Sequence, residues 1–497
     1  MDNGFKSIIL FVSKAFTVMV NIVSMMIISR FLPLEMYSNY REINTVLTLV
    51  ISVASLGLPS SILYFMSSNK RHVYLPNFFM AMLFILMLLL PISIISLFYF
   101  NYNFNTFLFT EYWVFFILLF LFSFVGACIE NLFIAFNTFK LLLINSFIPN
   151  LVFICSLFYT CYYKQTLVSL LLCLISREFI RMLILLYFAK VIKVELKHFS
   201  MEKTMKILTF GVPIGAAALI GAINTNLDKL IIGKFFTEKE FAVIATASYE
   251  IPILGLIGVS LFNILIPSLK DKYDNNRYSE LIELWYRAGK VMITVVIPIV
   301  VALIVFANEI VTLIFSSKYI DAVNLFRVYQ VNALSRIYYY GSLFLALGLS
   351  RLYTRNAIIN LINNLILNIV CIKVFGMKGA AVANVISAQL LIFIQTSQLK
   401  KVLKVKSTEL FPIIEFIKGT VLTFMITICI YVIYKYIFDF NIYIGLVFMI
   451  IAMVLSILML SKVITNEILI YLNMKLNLRD KLYGLFKKDS KKMVNKE

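Results

Sequence analysis

Basic side chains stand inside long apolar stretches of this chain, where a charge is costly unless it has a partner or a function. A cationic cavity in such a place can replace the water around an anionic headgroup. Arginine suits phosphate particularly well, because its planar fork can hold two oxygens at once. We therefore predict that four basic residues bind the headgroup: Lys14, Arg177, Arg181 and Arg336. Asn332 lies on the same helical face as Arg336, four residues before it.

Acidic residues in the same apolar stretches are candidates for binding a coupling ion. Glu130, Asp228 and Glu250 are suited to Na⁺ or H⁺. The sequence also admits a second interpretation, in which Glu130, Glu178 and Glu250 form buried ion pairs with the basic residues and lock helices together. Both interpretations stay open at this point.

Polar residues follow one face of the first apolar stretch, at spacings of three, four and three residues. They are Lys14, Thr17, Asn21 and Ser24. A later stretch carries a small and polar face at the equivalent positions of an internal repeat. Its members are Ala218, Gly221, Thr225 and Asp228. We expect these two helices to line a shared cleft.

The chain offers little for covalent or metal chemistry. Its six cysteines lie inside or at the ends of the apolar stretches without CxxC spacing, and such cysteines pack as small apolar side chains. The two histidines, His72 and His198, lie in loops. We expect no metal site, no catalytic residue, no enzyme activity and no cofactor other than a coupling Na⁺ or H⁺.

Composition places the chain in a membrane. Of its 497 residues, 61% are hydrophobic and 14% are charged, whereas an ordinary globular domain carries about 25% charge. A spanning helix needs roughly 20 mostly apolar residues. We predict an all-α polytopic membrane protein with fourteen such spans, and we expect the first to be a retained helix and not a cleaved signal peptide. The spans are 7–29, 43–66, 76–99, 112–136, 144–162, 167–189, 207–233, 242–269, 290–315, 323–348, 356–375, 379–399, 412–434 and 441–461.

The distribution of basic residues predicts the orientation. The net charge is +20, and most Lys and Arg residues fall on the segments that lie inside if both termini are cytoplasmic. Lysines beside the membrane hold topology and contact anionic lipid headgroups. No nucleic-acid module accompanies them, so we expect membrane lipids as partners and no nucleic acid.

An internal repeat divides the chain into two lobes. The segment from Ile27 to Tyr37 has an apolar pair, a small residue, a base, an aromatic residue and a short acidic turn, and the same order returns from Ile231 to Phe241. A second match pairs the region of Asn145 with that of Asn356. Repeats in transporters usually place the substrate path at their interface. The predicted parts are an N-lobe of six helices (1–189), a cytoplasmic link (190–206), a C-lobe of six helices (207–399), two additional helices (400–461) and a basic cytoplasmic tail (462–497).

Four short motifs carry a family resemblance that covers nearly the whole chain in length, helix count and helix order. The chain resembles the polysaccharide flippases (Wzx-type, O-antigen and capsule transporters) of the multidrug/oligosaccharidyl-lipid/polysaccharide exporter superfamily. One departure is Ser316, in a turn that the family often fills with Gly. The motifs are Phe210-Gly211-Val212-Pro213, Asp228-Lys229-Leu230-Ile231-Ile232-Gly233, Phe315-Ser316-Ser317-Lys318-Tyr319 followed by Ala322, and Gly376-Met377-Lys378-Gly379-Ala380-Ala381.

The resemblance implies two MATE-like lobes, alternating access, ion coupling and a cationic central cavity. It implies an undecaprenyl-pyrophosphate-linked oligosaccharide as substrate, in the bacterial cytoplasmic (inner) membrane, for O-antigen or capsule biosynthesis. A polysaccharide polymerase and a chain-length regulator are candidate partners.

Other functions remain open from sequence. Within the same fold, the chain could be a flippase for lipid II, the peptidoglycan precursor, or a cation-coupled multidrug antiporter. An antiporter for organic cations would favour an acidic and aromatic cavity, whereas the buried charges here are at least as basic as acidic. A membrane glycosyltransferase, polymerase or ligase would need a larger outer loop than the sequence offers. A structural or assembly partner is the remaining alternative.

Overall fold

A computed structural model describes residues 3–66, 71–104, 112–192, 199–438 and 441–464. All regular elements within these ranges are helices, which confirms the predicted all-α membrane class. The first seven helices are α1 Asn3–Phe31, α2 Leu34–Ser55, α3 Leu58–Met66, α4 Arg71–Phe104, α5 Trp113–Ala135, α6 Phe139–Tyr159 and α7 Leu167–Ile192. The next seven are α8 Met201–Phe235, α9 Glu238–Ala247, α10 Pro252–Asp274, α11 Tyr278–Val305, α12 Ala307–Phe315, α13 Val323–Asn332 and α14 Tyr340–Ala346. The last five are α15 Ser350–Phe375, α16 Met377–Leu403, α17 Ser407–Leu410, α18 Ile413–Ile437 and α19 Ile442–Ile464.

Nine helices of the described part are long and apolar enough to cross a membrane, or ten if the bent pair α2 and α3 is one span. Each of the fourteen predicted windows nevertheless falls on helical segments. Part of the difference arises where a predicted span is broken into shorter helices, and part where a continuous helix, α7, carries three charged residues near its middle. The window 242–269 is interrupted between α9 and α10, and the window 323–348 is interrupted between α13 and α14.

The described chain forms two compact units. The first comprises Met1–Tyr249, Val311–Phe326 and Thr354–Ser387, and the second comprises Glu250–Ile310, Arg327–Tyr353 and Ala388–Glu497. Within the first, α8 packs against α2, α3 and α4, although the repeat assigns α8 to the C-lobe. The lobe boundaries at 1–189 and 207–399 stay a prediction. Residues 193–198 of the predicted link and 465–497 of the predicted tail lie outside the described residues.

In the second unit, α18 and α19 pack on each other and on α11. Glu415 on α18 fixes part of this contact, because its Oε1 lies 3.0 Å from Lys290 Nζ on α11. The Tyr286 hydroxyl also donates to Glu415, at 3.1 Å to Oε2. The two helices that follow the predicted lobes are therefore held to the unit by charge as well as by apolar packing.

The Phe210-Gly211-Val212-Pro213 motif has a packing reason in the first unit. Gly57 stands at the break between α2 and α3 with φ +70°, and a Cβ there would lie 2.2 Å from the Gly211 carbonyl oxygen. A Cβ on Gly215 would lie 2.5 Å from the Leu56 carbonyl carbon. We call the contact of Gly57, Gly211 and Gly215 the glycine junction. Only glycine lets these two backbones approach so closely.

Candidate functional site

Lys14 lies on the accessible face of α1. Its Nζ is 3.4 Å from Glu130 Oε1 on α5, and the two side chains are 52% and 37% exposed. Both residues belong to apolar spans, where an accessible charged pair must border water or an aqueous cavity, because lipid cannot solvate it. The protein therefore encloses the pair only in part.

Polar contacts hold α1 against α6 beside this pair. The Ser13 and Ser146 hydroxyls are hydrogen bonded, and Asn150 Nδ2 donates to Thr17 Oγ1 at 3.3 Å. These bonds fix the rotation of α1 about its axis. Asn21 remains exposed on the same face as Lys14, whereas Ser24, one turn on, is buried.

On the repeat-equivalent face of α8, side-chain exposure falls along the helix in the same way as on α1. Ala218, Gly221 and Thr225 are exposed, and Asp228 is 1% exposed. Asp228 Oδ1 accepts a hydrogen bond from the Lys229 backbone amide at 2.8 Å. Both predicted cleft helices thus run from an accessible polar surface to a buried polar residue, although only α8 ends on a carboxyl.

Arg177 and Arg181 form a less accessible cluster on α7. Arg181 Nη1 lies 3.0 Å from Glu178 Oε2, and its Nη2 donates to the Gly126 carbonyl oxygen at 3.2 Å. Arg177 Nε lies 3.8 Å from Glu178 Oε1, and its guanidinium stands 5.2 Å from the Phe153 ring centroid. One carboxylate therefore faces two guanidinium groups, which leaves the cluster with net positive charge.

Arg336 belongs to the second unit and pairs with Glu250. Arg336 Nε donates to Glu250 Oε1 and Nη2 donates to Oε2, both at 2.8 Å, in a two-pronged geometry. The side chains are 34% and 47% exposed. Glu250 lies in the non-helical break between α9 and α10, and Arg336 lies in a 3-10 turn between α13 and α14, just after Asn332. The pair thus joins the breaks in two predicted spans.

The structure gives each predicted basic residue a carboxylate neighbour from the set that the sequence named. Among described residues, Lys14 faces Glu130, Arg177 and Arg181 face Glu178, and Arg336 faces Glu250. The role of the four in headgroup binding, and of Glu130, Asp228 and Glu250 in ion coupling, stays a prediction. No group of three or more metal-ligating side chains occurs among the residues described.

A buried row of asparagines on α15 was missed from sequence, except for Asn356. Asn364 Nδ2 donates to the Asn224 carbonyl oxygen on α8 at 3.1 Å and to its Oδ1 at 3.0 Å. The Ser387 hydroxyl donates to Asn360 Oδ1 at 3.0 Å, which links α16 to the same row. The spacing of four residues was the available signal. The row is Asn356, Asn360, Asn364 and Asn368.

The fold and the accessible charges inside its spans define a polytopic helical membrane protein. The chain belongs to the family described as "Polysaccharide biosynthesis protein", whose model matches residues 27–324.

A curated relative is the "Probable low-salt glycan biosynthesis flippase Agl15" of Haloferax volcanii. It is 24% identical over 198 residues, which are 39% of this chain and 42% of that protein. The match thus spans less than half of the relative's length.

Solved structures share the fold. The lipid II flippase MurJ, in an inward closed conformation, matches with a TM-score of 0.71 at 17% identity, over 93% of this chain and 100% of that one. A multidrug resistance MATE family transporter of the MOP superfamily, in an inward-facing conformation, matches with a TM-score of 0.64 at 15% identity, over 78% and 95%. A MOP superfamily transporter from Pyrococcus furiosus matches with a TM-score of 0.55 at 15% identity, over 80% and 95%.

Proposed function

We propose that this protein is a flippase that carries an undecaprenyl-pyrophosphate-linked oligosaccharide repeat unit across the bacterial cytoplasmic membrane, for O-antigen or capsule biosynthesis. The family, the flippase role named for the curated relative and the transporter folds support this proposal. Both termini face the cytoplasm, and the protein moves its substrate without changing it chemically. A polysaccharide polymerase and a chain-length regulator act on the delivered repeat unit.

The Arg336–Glu250 pair is the observation that carries the proposal. Non-helical backbone at membrane depth is tolerated where it is buried in protein or lines an aqueous cavity. The half-exposed charges at these two breaks favour the aqueous cavity. Broken helices with charged side chains at their ends are typical of substrate sites in transporters.

The geometry of the pair suits exchange with a phosphate group. Glu250 presents two oxygens to Arg336 with matched distances, which is the arrangement that a phosphate also offers to a guanidinium. An incoming pyrophosphate takes the place of the carboxylate, while the polyprenyl tail stays in lipid. Lys14, Arg177 and Arg181 offer further positive charge in the first unit. Thr17, Asn21 and Thr225 there, and Asn332 in the second unit, are candidate contacts for the sugar, whereas Ser24 is buried.

Alternating access needs a driving ion, and we propose H⁺ or Na⁺ binding at Asp228, Glu130 or Glu250. Asp228 is the most enclosed of the three. An ion shifts the equilibrium between two transporter states only through its difference in affinity for them. A carboxyl that is buried in one state and hydrated in the other has such a difference.

Lipid II is the second candidate substrate, because a lipid II flippase shares the fold over 93% of this chain. Its headgroup also carries a pyrophosphate, so the same basic residues serve either cargo. Depletion separates the two candidates: a lipid II flippase is essential for the cell wall, whereas loss of a surface-polysaccharide flippase leaves growth intact and removes the polymer.

The direct experiment is a clean deletion followed by measurement of surface polysaccharide and of lipid-linked sugar on each leaflet. We expect loss of the polymer and accumulation of the lipid-linked sugar on the inner leaflet. Complementation with Arg336→Ala should fail, whereas Arg287→Ala, which removes an exposed arginine paired with Glu283 on α11, should restore export. Normal surface polysaccharide in the deletion strain would refute the proposal.

A further inference from the structure

Glu309 is a buried carboxyl that the proposed cycle does not yet use. It is the third residue of α12, within the predicted span 290–315, and it is 1% exposed. Neither carboxyl oxygen makes a hydrogen bond of ordinary distance and angle within the described part of the chain, although the Tyr434 hydroxyl is near enough to interact with the carboxyl. An ionised carboxylate in this setting costs several kcal/mol, so the neutral acid is favoured.

The last two helices close over this carboxyl. Tyr434 on α18 is fully buried, and its hydroxyl faces Glu309. Gly445 on α19 leaves room for both, because a Cβ there would lie 2.9 Å from the Tyr434 hydroxyl oxygen and 3.0 Å from Glu309 Cγ. The site is therefore built jointly by α12, α18 and α19.

One basic residue provides a competing partner. Arg327 on α13 interacts electrostatically with Glu309, while its Nε donates to the Ile304 carbonyl oxygen at 3.2 Å. The titratable and charged groups that face Glu309 are thus Arg327, Tyr434 and, at longer range, Tyr431. Of these groups, Arg327 alone carries a positive charge.

The number of oxygen ligands around Glu309 favours binding of a proton over binding of a metal cation. A hard cation takes about six oxygen ligands, whereas Glu309 and the Tyr434 hydroxyl together supply three oxygens. The Tyr434 hydroxyl is already directed to the Asn441 carbonyl oxygen at 3.3 Å. A nearby guanidinium further disfavours a metal ion.

Glu309 and Arg327 both lie close in sequence to boundaries between the two units. The chain passes from the second unit to the first between Ile310 and Val311, directly after Glu309. It returns to the second unit at Arg327. Glu309 and Arg327 therefore each lie beside a point where the chain passes from one unit to the other.

We propose that Glu309 is a proton-binding site and that its binding and release of a proton couples proton movement to transport. The coupling role rests on the proposed function, whereas proton binding does not. In this proposal α18 and α19 have a functional role, because both helices are needed to exclude water from the Glu309 carboxyl.

Carbodiimide labelling tests the proton site on the wild-type protein. Dicyclohexylcarbodiimide reacts with protonated carboxyls in apolar surroundings, and mass spectrometry locates the adduct. In proteoliposomes we expect labelling of Glu309 that declines as the pH is raised. The matched control is Glu283 on α11, which is 59% exposed, paired with Arg287 and expected to stay unlabelled. Absence of an adduct on Glu309 in the folded protein, or protection by Na⁺ at constant pH, would overturn the proton site.

Transport separates the coupling role from the proton site. We expect Glu309→Gln to remain folded by size-exclusion chromatography and to flip lipid-linked sugar at a rate that no longer varies with pH. A wild-type pH profile in Glu309→Gln would overturn coupling through this residue. If wild-type protein labels at Glu309 but moves no lipid-linked sugar, the proposed function fails while the proton site stands.

Discussion

The Lys318 ammonium group donates a hydrogen bond to the backbone carbonyl oxygen of Arg30, with an Nζ to O distance of 2.9 Å. Arg30 in turn donates from Nη2 to the Leu313 carbonyl oxygen at 2.5 Å. Each basic side chain thus satisfies a carbonyl at the C-terminal end of the other's helix region, where helices leave carbonyls without partners and carry partial negative charge. The two ends, of α1 and α12, are capped reciprocally.

Loss of Lys318 should loosen the C-terminal end of α1, whose carbonyls it satisfies. We expect Lys318→Ala to lower the thermal midpoint by about 2 °C, the shift that about 1 kcal/mol produces in a large domain. Differential scanning fluorimetry of the purified protein measures it. Lys239→Ala, on the exposed face of α9, is the control, and an equal shift in both variants would contradict the capping role.

The glycine junction predicts a sharp contrast between two glycines of the same helix. Gly211→Ala places a methyl group 2.5 Å from the Leu56 carbonyl oxygen, so we expect a large loss of folded protein. Gly221→Ala meets nothing within 4 Å and should raise stability by up to about 1 kcal/mol through helix propensity. Yield and thermal midpoint measure both. Comparable behaviour of the two variants would show that the backbone contact is not limiting.

The Arg336–Glu250 pair predicts a gain of binding from the loss of a carboxylate. Glu250→Gln keeps the size of the side chain but removes the charge that competes for the guanidinium, so we expect a severalfold tighter binding of undecaprenyl pyrophosphate. Arg336→Ala should weaken binding by at least tenfold. Ligand-induced thermal shifts measure both variants. If Glu250→Gln binds no more tightly than wild type and is only less stable, the pair is structural.

The asparagine row predicts a stability cost in the first unit. Asn364→Ala removes both hydrogen bonds to the half-buried Asn224 and one from the buried Asn368 amide, and we expect a loss of about 1–3 kcal/mol because these polar groups lose partners. Asn44→Ala is the control, since Asn44 Nδ2 donates only within α2, to the Tyr40 carbonyl oxygen. Denaturation in detergent measures the free energy of unfolding of both variants. A smaller loss for Asn364→Ala than for Asn44→Ala would count against the row as a stabilising link.

Hydropathy alone located the helical segments but not the breaks in them. An average over roughly 20 residues cannot show that the chain leaves helical geometry at Glu250 or Arg336, because the flanking residues are apolar on both sides. Pro252 was a visible signal, since proline is favoured in the first turn of a helix. No comparable signal marks the turn before Tyr338, whose extended backbone ends the 3-10 segment.

The sequence indicated which charged residues belong to the candidate site, but not which of them contact each other. Lys14 and Glu130 are far apart in sequence, and nothing local indicates that they meet. The sharing of Glu178 between Arg177 and Arg181 follows more directly from their positions on one helix. Glu309 could have been found as a carboxyl inside a predicted span, but its burial depends on how α18 and α19 pack.

Two contacts in the first unit, the glycine junction and the Lys14–Glu130 ion pair, respond differently to solution conditions. The glycine junction is a contact between backbones, so neither salt nor pH acts on it, and no rotamer can release it. The Lys14–Glu130 pair, by contrast, is screened by dissolved ions. A rise in ionic strength will therefore weaken this ion pair, while α8 keeps its contact with the α2–α3 break.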